Sequence, residues 1–495
     1  MPSSDRTRPL VLSLFEMASV VHLARGLWTH PRDQRHRIGD LAFWRELGQL
    51  LEYGTFDQVF LADVLGVYDV YGDELATPVR EAYQVPALDP LILLGALADA
   101  TEHLGLTATF STTYEPPFAF ARRIATLDQL SRGRVGWNVV TSYLTNAARN
   151  FGLDGQIDHD ERYHIADEYL DVVYKLLLGS WDGDAVLADR ERRVYADPDK
   201  VRYIEHRGER FRVRGPHLLA PTPQRLPVIV QAGSSLTGLA FAARHAEVVF
   251  VGGGSPAAVR DNIAAIRAQA RAYGRDPEQL AFITGASVIV GRTTEEAEEK
   301  ARDYERYRST AVDHAVRGPD LSRYAPDELV EDIIARKDPG YEMVIRGWRP
   351  GQTVADLRQL MSQLRGSGAR PFSVVGTPVQ VADALAGWAA ETGLSGFNFA
   401  QQVSFESVRD LVELVVPELR RRGLARSSYR DGETLRERLL GGTSGLPHPT
   451  HPAARYLDPA QLYRPAEPFT VAATPTRPAG LRRAGLGGAD RGAGR

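Results

Sequence analysis

Small polar residues, each placed at or just past the end of a short apolar run, mark where this sequence could do chemistry. Asp63 follows the run 58–62, Ser111 and Thr112 follow 106–110, Asn138 and Thr141 sit at 135–140, and Gly233, Ser234 and Ser235 follow 228–231. These are hydrogen-bonding groups, not a nucleophile–base array. Gln231-Ala232-Gly233-Ser234-Ser235 passes from an apolar run into a helical pattern. Its amides and hydroxyls suit a phosphate at a helix N-terminus, and a plain Ser N-cap explains them equally well. Gly252-Gly253-Gly254-Ser255-Pro256 is a weaker version, explained by a flexible turn with Pro near the helix start.

The densest polar cluster is His159-Asp160-Glu161-Arg162-Tyr163-His164. Two histidines and two carboxylates invite a metal reading. The histidines stand five positions apart, roughly 140° around a helix, whereas metal-binding pairs on one helix face sit three or four apart. The spacing argues against a metal, and a His and a Tyr of this cluster reaching a phosphate is the better reading. A metal-dependent barrel hydrolase is the alternative that would rest on this cluster. The chain has no cysteine, which excludes disulfides, thiolate metal sites and cysteine nucleophiles.

The elements that must position these groups alternate. Runs at 10–15, 58–62, 106–110, 135–140, 228–231, 247–251, 282–290 and 396–399 have the character of buried strands. Between them, 41–53, 90–103, 117–130, 165–178, 236–245, 256–273 and 379–391 carry helical spacing. Eight strands alternating with helices predict an α/β fold, a (β/α)8 TIM barrel with insertions after strands, in preference to an open sheet. In such a barrel, function gathers at the C-terminal ends of the strands, where the small polar residues lie. Insertions are expected at about 64–88, 141–163, 179–225 and 292–371, with a β-hairpin centred on 206–209. One domain spans 8–456, and the Pro-, Gly- and Arg-rich stretch 457–495 is expected to be a disordered tail.

A net charge of -4 on 495 residues gives no global attraction to nucleic acid or to anionic lipid. The apolar stretches are short, and the N-terminal MPSSDRTRP has no signal-peptide core. The expectation is a cytoplasmic enzyme with no nucleic-acid and no membrane partner.

Several separated stretches together resemble one family. They include Trp28-Thr29-His30-Pro31, Phe60-Leu61-Ala62-Asp63, Gln84-Val85-Pro86, Ser111-Thr112-Thr113-Tyr114-Glu115, Gly133-Arg134-Val135-Gly136-Trp137-Asn138-Val139-Val140-Thr141-Ser142-Tyr143, His159-Asp160-Glu161-Arg162-Tyr163, Pro223-Gln224-Arg225 and Val415-Val416-Pro417-Glu418-Leu419. From about residue 14 to 456 the chain resembles the nitrilotriacetate, dibenzothiophene-sulfone and long-chain alkane monooxygenases, a branch of the bacterial luciferase-like flavin-dependent superfamily. The resemblance implies a (β/α)8 barrel that takes reduced FMN as a diffusible cosubstrate from a separate NAD(P)H-dependent flavin reductase. Dioxygen would react through a flavin peroxide or hydroperoxide to oxygenate a small organic substrate. A deazaflavin-dependent dehydrogenase is the alternative within the superfamily.

Carried over by position, Asp63, Thr112, Asn138 and Thr141 or Ser142 would line the flavin ring, while His159, Tyr163, Ser234 and Ser235 would reach the ribityl chain and phosphate. This turns the reading of Ser234 and Ser235 toward phosphate. His22 and Tyr143 are the candidates to face the reacting oxygen. The resemblance also implies a homodimer or homotetramer. Thr29 and Pro116 depart from the family's usual Arg and His, which bears on the substrate entrance and not on flavin use. Tyr68, Tyr71 and Tyr83 suggest an aromatic wall suited to a nonpolar or aromatic substrate, a preference that Arg80 weakens.

Overall fold

The computed structural model describes residues 8–71, 74–233, 235–309, 320–336, 338, 351–363 and 372–471. Thirteen strands are present among them. In chain order they are β1 (Val11–Met17), β2 (Gln58–Ala62), β3 (Gly105–Ser111), β4 (Val135–Val140), β5 (Val186–Asp189), β6 (Val194–Ala196), β7 (His206–Arg207), β8 (Arg212–Val213), β9 (Val228–Gln231), β10 (Val248–Phe250), β11 (Ala281–Val290), β12 (Phe372–Gly376) and β13 (Gly396–Ala400). Eight of them, β1, β2, β3, β4, β9, β10, β11 and β13, pair in parallel in that order, and β13 returns to β1 to close the ring. This is the expected barrel, built from the eight expected strands.

Closure buries both faces of each strand, which is why the strands read as continuous apolar runs. Val11 of β1 packs inward with Phe60, Val228, Val230, Val248, Ala281 and Ile283, and Phe15 packs against the same cluster. The alternate residues Leu12 and Leu14 point outward into the larger core beneath the helices. Leu435 and Leu439 join the inner cluster and plug the barrel's N-terminal mouth. Arg436 anchors that plug through a buried 2.7 Å ion pair with Glu247.

The helices start where side chains can cap them. Asp40 accepts from the Ala42 amide, and Asp89 from the Leu91 amide at 2.8 Å. Thr377 and Gln380 form a reciprocal capping box before the helix Pro378–Thr392, which ends on Gly393 at φ 79°.

Four features differ from the sequence reading. β12 was not expected; it lies outside the ring, against the far half of the ten-residue β11, with its strand half-exposed. The β5–β6 hairpin was also missed, since its strands are exposed, whereas β7–β8 is the expected hairpin. The helix placed at 165–178 begins at His159, because Asp158 accepts from the Asp160 amide and caps it there. The tail expected from 457 packs on the body as far as 471, burying Leu462 and Phe469, two apolar anchors hidden in a Pro-rich stretch. Phe469 meets Phe241 at 5.9 Å. Residues 472–495 lie outside the described residues, as do 310–319, 339–350 and 364–371 of the expected insertion at 292–371.

Candidate active site

The ends of β3 and β4 are tied into one surface by their own hydrogen bonds. The Thr112 amide donates to the Val140 carbonyl at 3.0 Å, and Thr113 Oγ1 donates to the Thr141 carbonyl at 2.7 Å. Ser142 Oγ lies 2.9 Å from Ser111 Oγ, which also accepts from the Thr113 amide at 3.2 Å. Ser142 holds φ at 55°, a left-handed conformation that costs about 1 kcal/mol outside glycine. Such strain persists where surrounding bonds fix it, as they do here.

Thr112, Asn138 and Thr141 are buried at this surface. Asn138 Nδ2 donates to Thr109 Oγ1 at 2.9 Å, while its Oδ1 has no partner among the described residues. An acceptor left without a donor is a group prepared for a ligand's N–H. Asp63, at the end of β2, is half-buried. Burial pushes its carboxyl up to about 7, with the nearby Asp89 adding to the rise and a bond from the Val64 amide opposing it.

A second set gathers at the N-terminus of the helix Leu236–His245. Ser235 caps it, its Oγ accepting from the Gly238 amide at 3.0 Å. The amides of Leu236 and Thr237 precede the first intrahelical bond and have no acceptor among the described residues, which suits them to an anion. The Gly233 amide donates to Gln231 Oε1 at 2.8 Å. Any Cβ on Gly233 would fall 2.9 Å from Gly238 Cα, so glycine is required for the turn to close on the helix.

The helix His159–Tyr174 completes this set. Tyr163 is buried with its hydroxyl against the helix start, 2.7 Å from where a Cβ on Gly238 would stand. His159 packs on the Tyr163 ring at 5.3 Å. Thr237 Oγ1 donates to Asp160 Oδ1 at 2.7 Å, and His159 Nδ1 lies 2.8 Å from the same oxygen. Partial burial pushes the Asp160 carboxyl up, but the bonds from Thr237 and His159 outweigh it and hold the group below the usual carboxylate range.

The structure therefore brings His159, Tyr163 and Ser235 to one helix start, and Asp63, Thr112, Asn138 and Thr141 to adjoining strand ends. Ser234 lies outside the described residues. Sequence reasoning missed Thr237 and Gly238; a Thr and a Gly in the first turn after Ser235 were the available signal. His164 is exposed on the opposite side and meets Phe469 at 5.7 Å, away from this set. Among the described residues no three His, Asp or Glu side chains gather as metal ligands.

His22 is buried in the loop after β1, its ring 4.7 Å from Phe15. Tyr143 belongs to an aromatic cluster with Tyr68, Tyr71, Tyr83 and Tyr114. Several of these hydroxyls are engaged locally: Tyr68 with Tyr143, Gln84 Nε2 with Tyr83 at 3.2 Å, and Gln156 Nε2 with Tyr114 at 2.8 Å. Arg80 is exposed, and the Arg25 guanidinium stands 5.6 Å from the centre of the Tyr83 ring. A separate cavity of about 450 Å³, lined by Phe118, Phe211 and Arg212 among others, opens beside the β7–β8 hairpin, and none of the strand-end residues lines it.

Residues 23–396 match the luciferase-like monooxygenases. The chain belongs to this family. The long-chain alkane monooxygenase of Geobacillus thermodenitrificans (strain NG80-2) is 47% identical over 455 residues, 91% of this chain and 98% of that protein. The dimethyl-sulfide monooxygenase of Hyphomicrobium sulfonivorans is 41% identical over 91% of this chain and 94% of its own length. A riboflavin lyase solved with modified FMN and riboflavin superposes with a TM-score of 0.84 at 38% identity, covering 91% of this chain and 99% of that one. As a member of the luciferase-like monooxygenases, the chain is an oxidoreductase of the monooxygenase class. Among its described residues no helix is long and apolar enough to cross a membrane.

Proposed function

We propose that this protein is the oxygenase of a two-component system, taking reduced FMN as a diffusible cosubstrate from a separate NAD(P)H-dependent flavin reductase. The observation that carries this reading is the pairing of two sets of groups in one region. The helix start at Ser235–Gly238, where the Leu236 and Thr237 amides precede the first intrahelical bond, suits a phosphate together with Tyr163 and His159. Asp63, Thr112, Asn138 and Thr141 at the strand ends suit the edge of a flavin ring, and the unpartnered Asn138 Oδ1 fits a flavin N–H.

Reduced FMN, when bound, supplies the two electrons that let one atom of dioxygen enter the substrate while the other leaves as water. The protein's share is to hold the ring and phosphate, keep water from the reacting face and place His22 and Tyr143 beside it. The tyrosine wall, with its engaged hydroxyls, supports a small, uncharged, largely apolar organic substrate. The alkane and dimethyl-sulfide specificities named for two relatives support the same class.

We also propose a homo-oligomer, dimer or tetramer. The helix Pro90–Ala100, PLILLGALADA, is apolar almost all round, yet Ile92 is 77% exposed. A helix of that composition belongs in an interior or an interface.

The test combines the purified chain with reductase, FMN, NADH and a panel of alkanes, thioethers and polycarboxylates, with products identified by mass. An oxygenated neutral product dependent on FMN is expected. FMN-independent turnover, or oxidation of polycarboxylates alone, would overturn the reading.

A further inference from the structure

One layer inside the barrel is polar. Ser13 of β1 has Gln58 of β2 as register partner on one side and Asn398 of β13 on the other, and all three are completely buried. They share the inward face with Val11, Phe15 and Phe60. Gln58 Oε1 accepts from Thr107 Oγ1 at 2.5 Å. Ser13 Oγ, Gln58 Nε2 and both amide atoms of Asn398 have no partner among the described residues. Gly285, the register partner of Asn398 on β11, adds no side chain beside it.

Leaving a buried donor or acceptor unsatisfied costs about 1–3 kcal/mol, and barrel interiors are ordinarily filled by branched apolar residues that avoid this cost. The unsatisfied set contains both donors and acceptors on adjacent strands. Water is the ligand small enough and of both polarities to serve them, since a buried water makes about three such bonds.

One step along the same face, Phe15 and Phe60 form the next register pair. Their rings stand 5.3 Å apart, and Phe250 closes on them at 5.4 and 6.3 Å. On its other side Phe15 meets His22. We propose that Ser13, Gln58 and Asn398 hold an ordered water cluster in the barrel lumen, and that Phe15, Phe60 and Phe250 partition it from the site at the strand ends. The partition's purpose rests on the flavin reading above. Reduced FMN and dioxygen can otherwise yield oxidised FMN and hydrogen peroxide, two electrons and two protons passing to oxygen, and water at the reacting face favours that loss.

The water site is tested by a crystal structure of the whole chain at a resolution that shows solvent. Density within hydrogen-bond distance of Ser13 Oγ and the Asn398 amide is expected. A lumen without it, or Asn398 turned onto a protein partner, overturns the site. The partition is tested by measuring hydrogen peroxide released per reduced FMN oxidised in Phe60→Ala and Phe60→Leu, with Phe250→Ala carrying the same comparison should Phe60→Ala not fold. A severalfold rise in the alanine variants, with Phe60→Leu near the unmodified protein, is expected; equal release in all overturns the partition. Absence of FMN binding by the unmodified protein would instead overturn the flavin reading, and the crystal structure would still decide the water site.

Discussion

Thr237 Oγ1 donates a 2.7 Å hydrogen bond to Asp160 Oδ1 and so fastens the start of the helix Leu236–His245 to the start of the helix His159–Tyr174. The two helix starts carry the groups assigned to a phosphate, Ser235 on one and His159 and Tyr163 on the other. A hydrogen bond to a charged partner contributes about 1.5–3 kcal/mol. Thr237→Val removes the donor and keeps the shape, so FMN affinity should fall about tenfold, a loss of about 1.4 kcal/mol. Thr237→Ser should restore most of it. Fluorescence titration checks both, and an unchanged affinity for Thr237→Val would show that the link does not shape the phosphate site.

His22 makes a different prediction because it lies in the loop after β1, against Phe15, and belongs to neither of the two sets proposed to hold the cofactor. If it faces the reacting oxygen, His22→Ala should lower product formed per reduced FMN consumed by about tenfold or more. FMN affinity should move far less. Stopped-flow oxidation with product analysis separates the two quantities; product yield and turnover both at the unmodified level would make His22 a structural residue.

The barrel was legible because its eight strands are buried on both faces and therefore read as apolar runs, and the strand-end residues followed from that placement. β12 and the β5–β6 hairpin were not legible, since half-exposed strands of three to five residues carry too little periodicity. The Asp160–Thr237 bond joins residues 77 positions apart, and neither type nor spacing signals such a contact. The same holds for Ser13, Gln58 and Asn398, which become neighbours only through strand register. Leu462 and Phe469 escaped notice because two isolated apolar residues among prolines do not form a pattern.

The exposed face of the helix Pro90–Ala100 predicts an assembly surface. Ile92 projects from it, and Leu88 is exposed just before the helix begins. Ile92→Glu would place a charge in a desolvated contact, which costs far more than it does on a free surface. Light scattering should show the proposed oligomer replaced by a monomer while the circular dichroism of the helices and strands is kept. An unchanged mass would remove this face from the assembly.

Asp63 predicts how stability responds to pH. Burial pushes its carboxyl up to about 7, so the folded state binds the proton more tightly than the unfolded chain, whose value stays near about 3.9. The stabilisation this gives is fully present below about 4 and is lost as pH rises through about 7, where the folded protein must hold a charge in a poorly solvated place. Asp63→Asn carries no such charge. At pH 8 the variant should therefore be the more stable, by up to about 4 kcal/mol, and the difference should shrink steadily as the pH is lowered toward 4. Denaturant unfolding of both proteins across that range measures the gap. A difference that does not vary with pH would mean that Asp63 titrates as an exposed carboxyl.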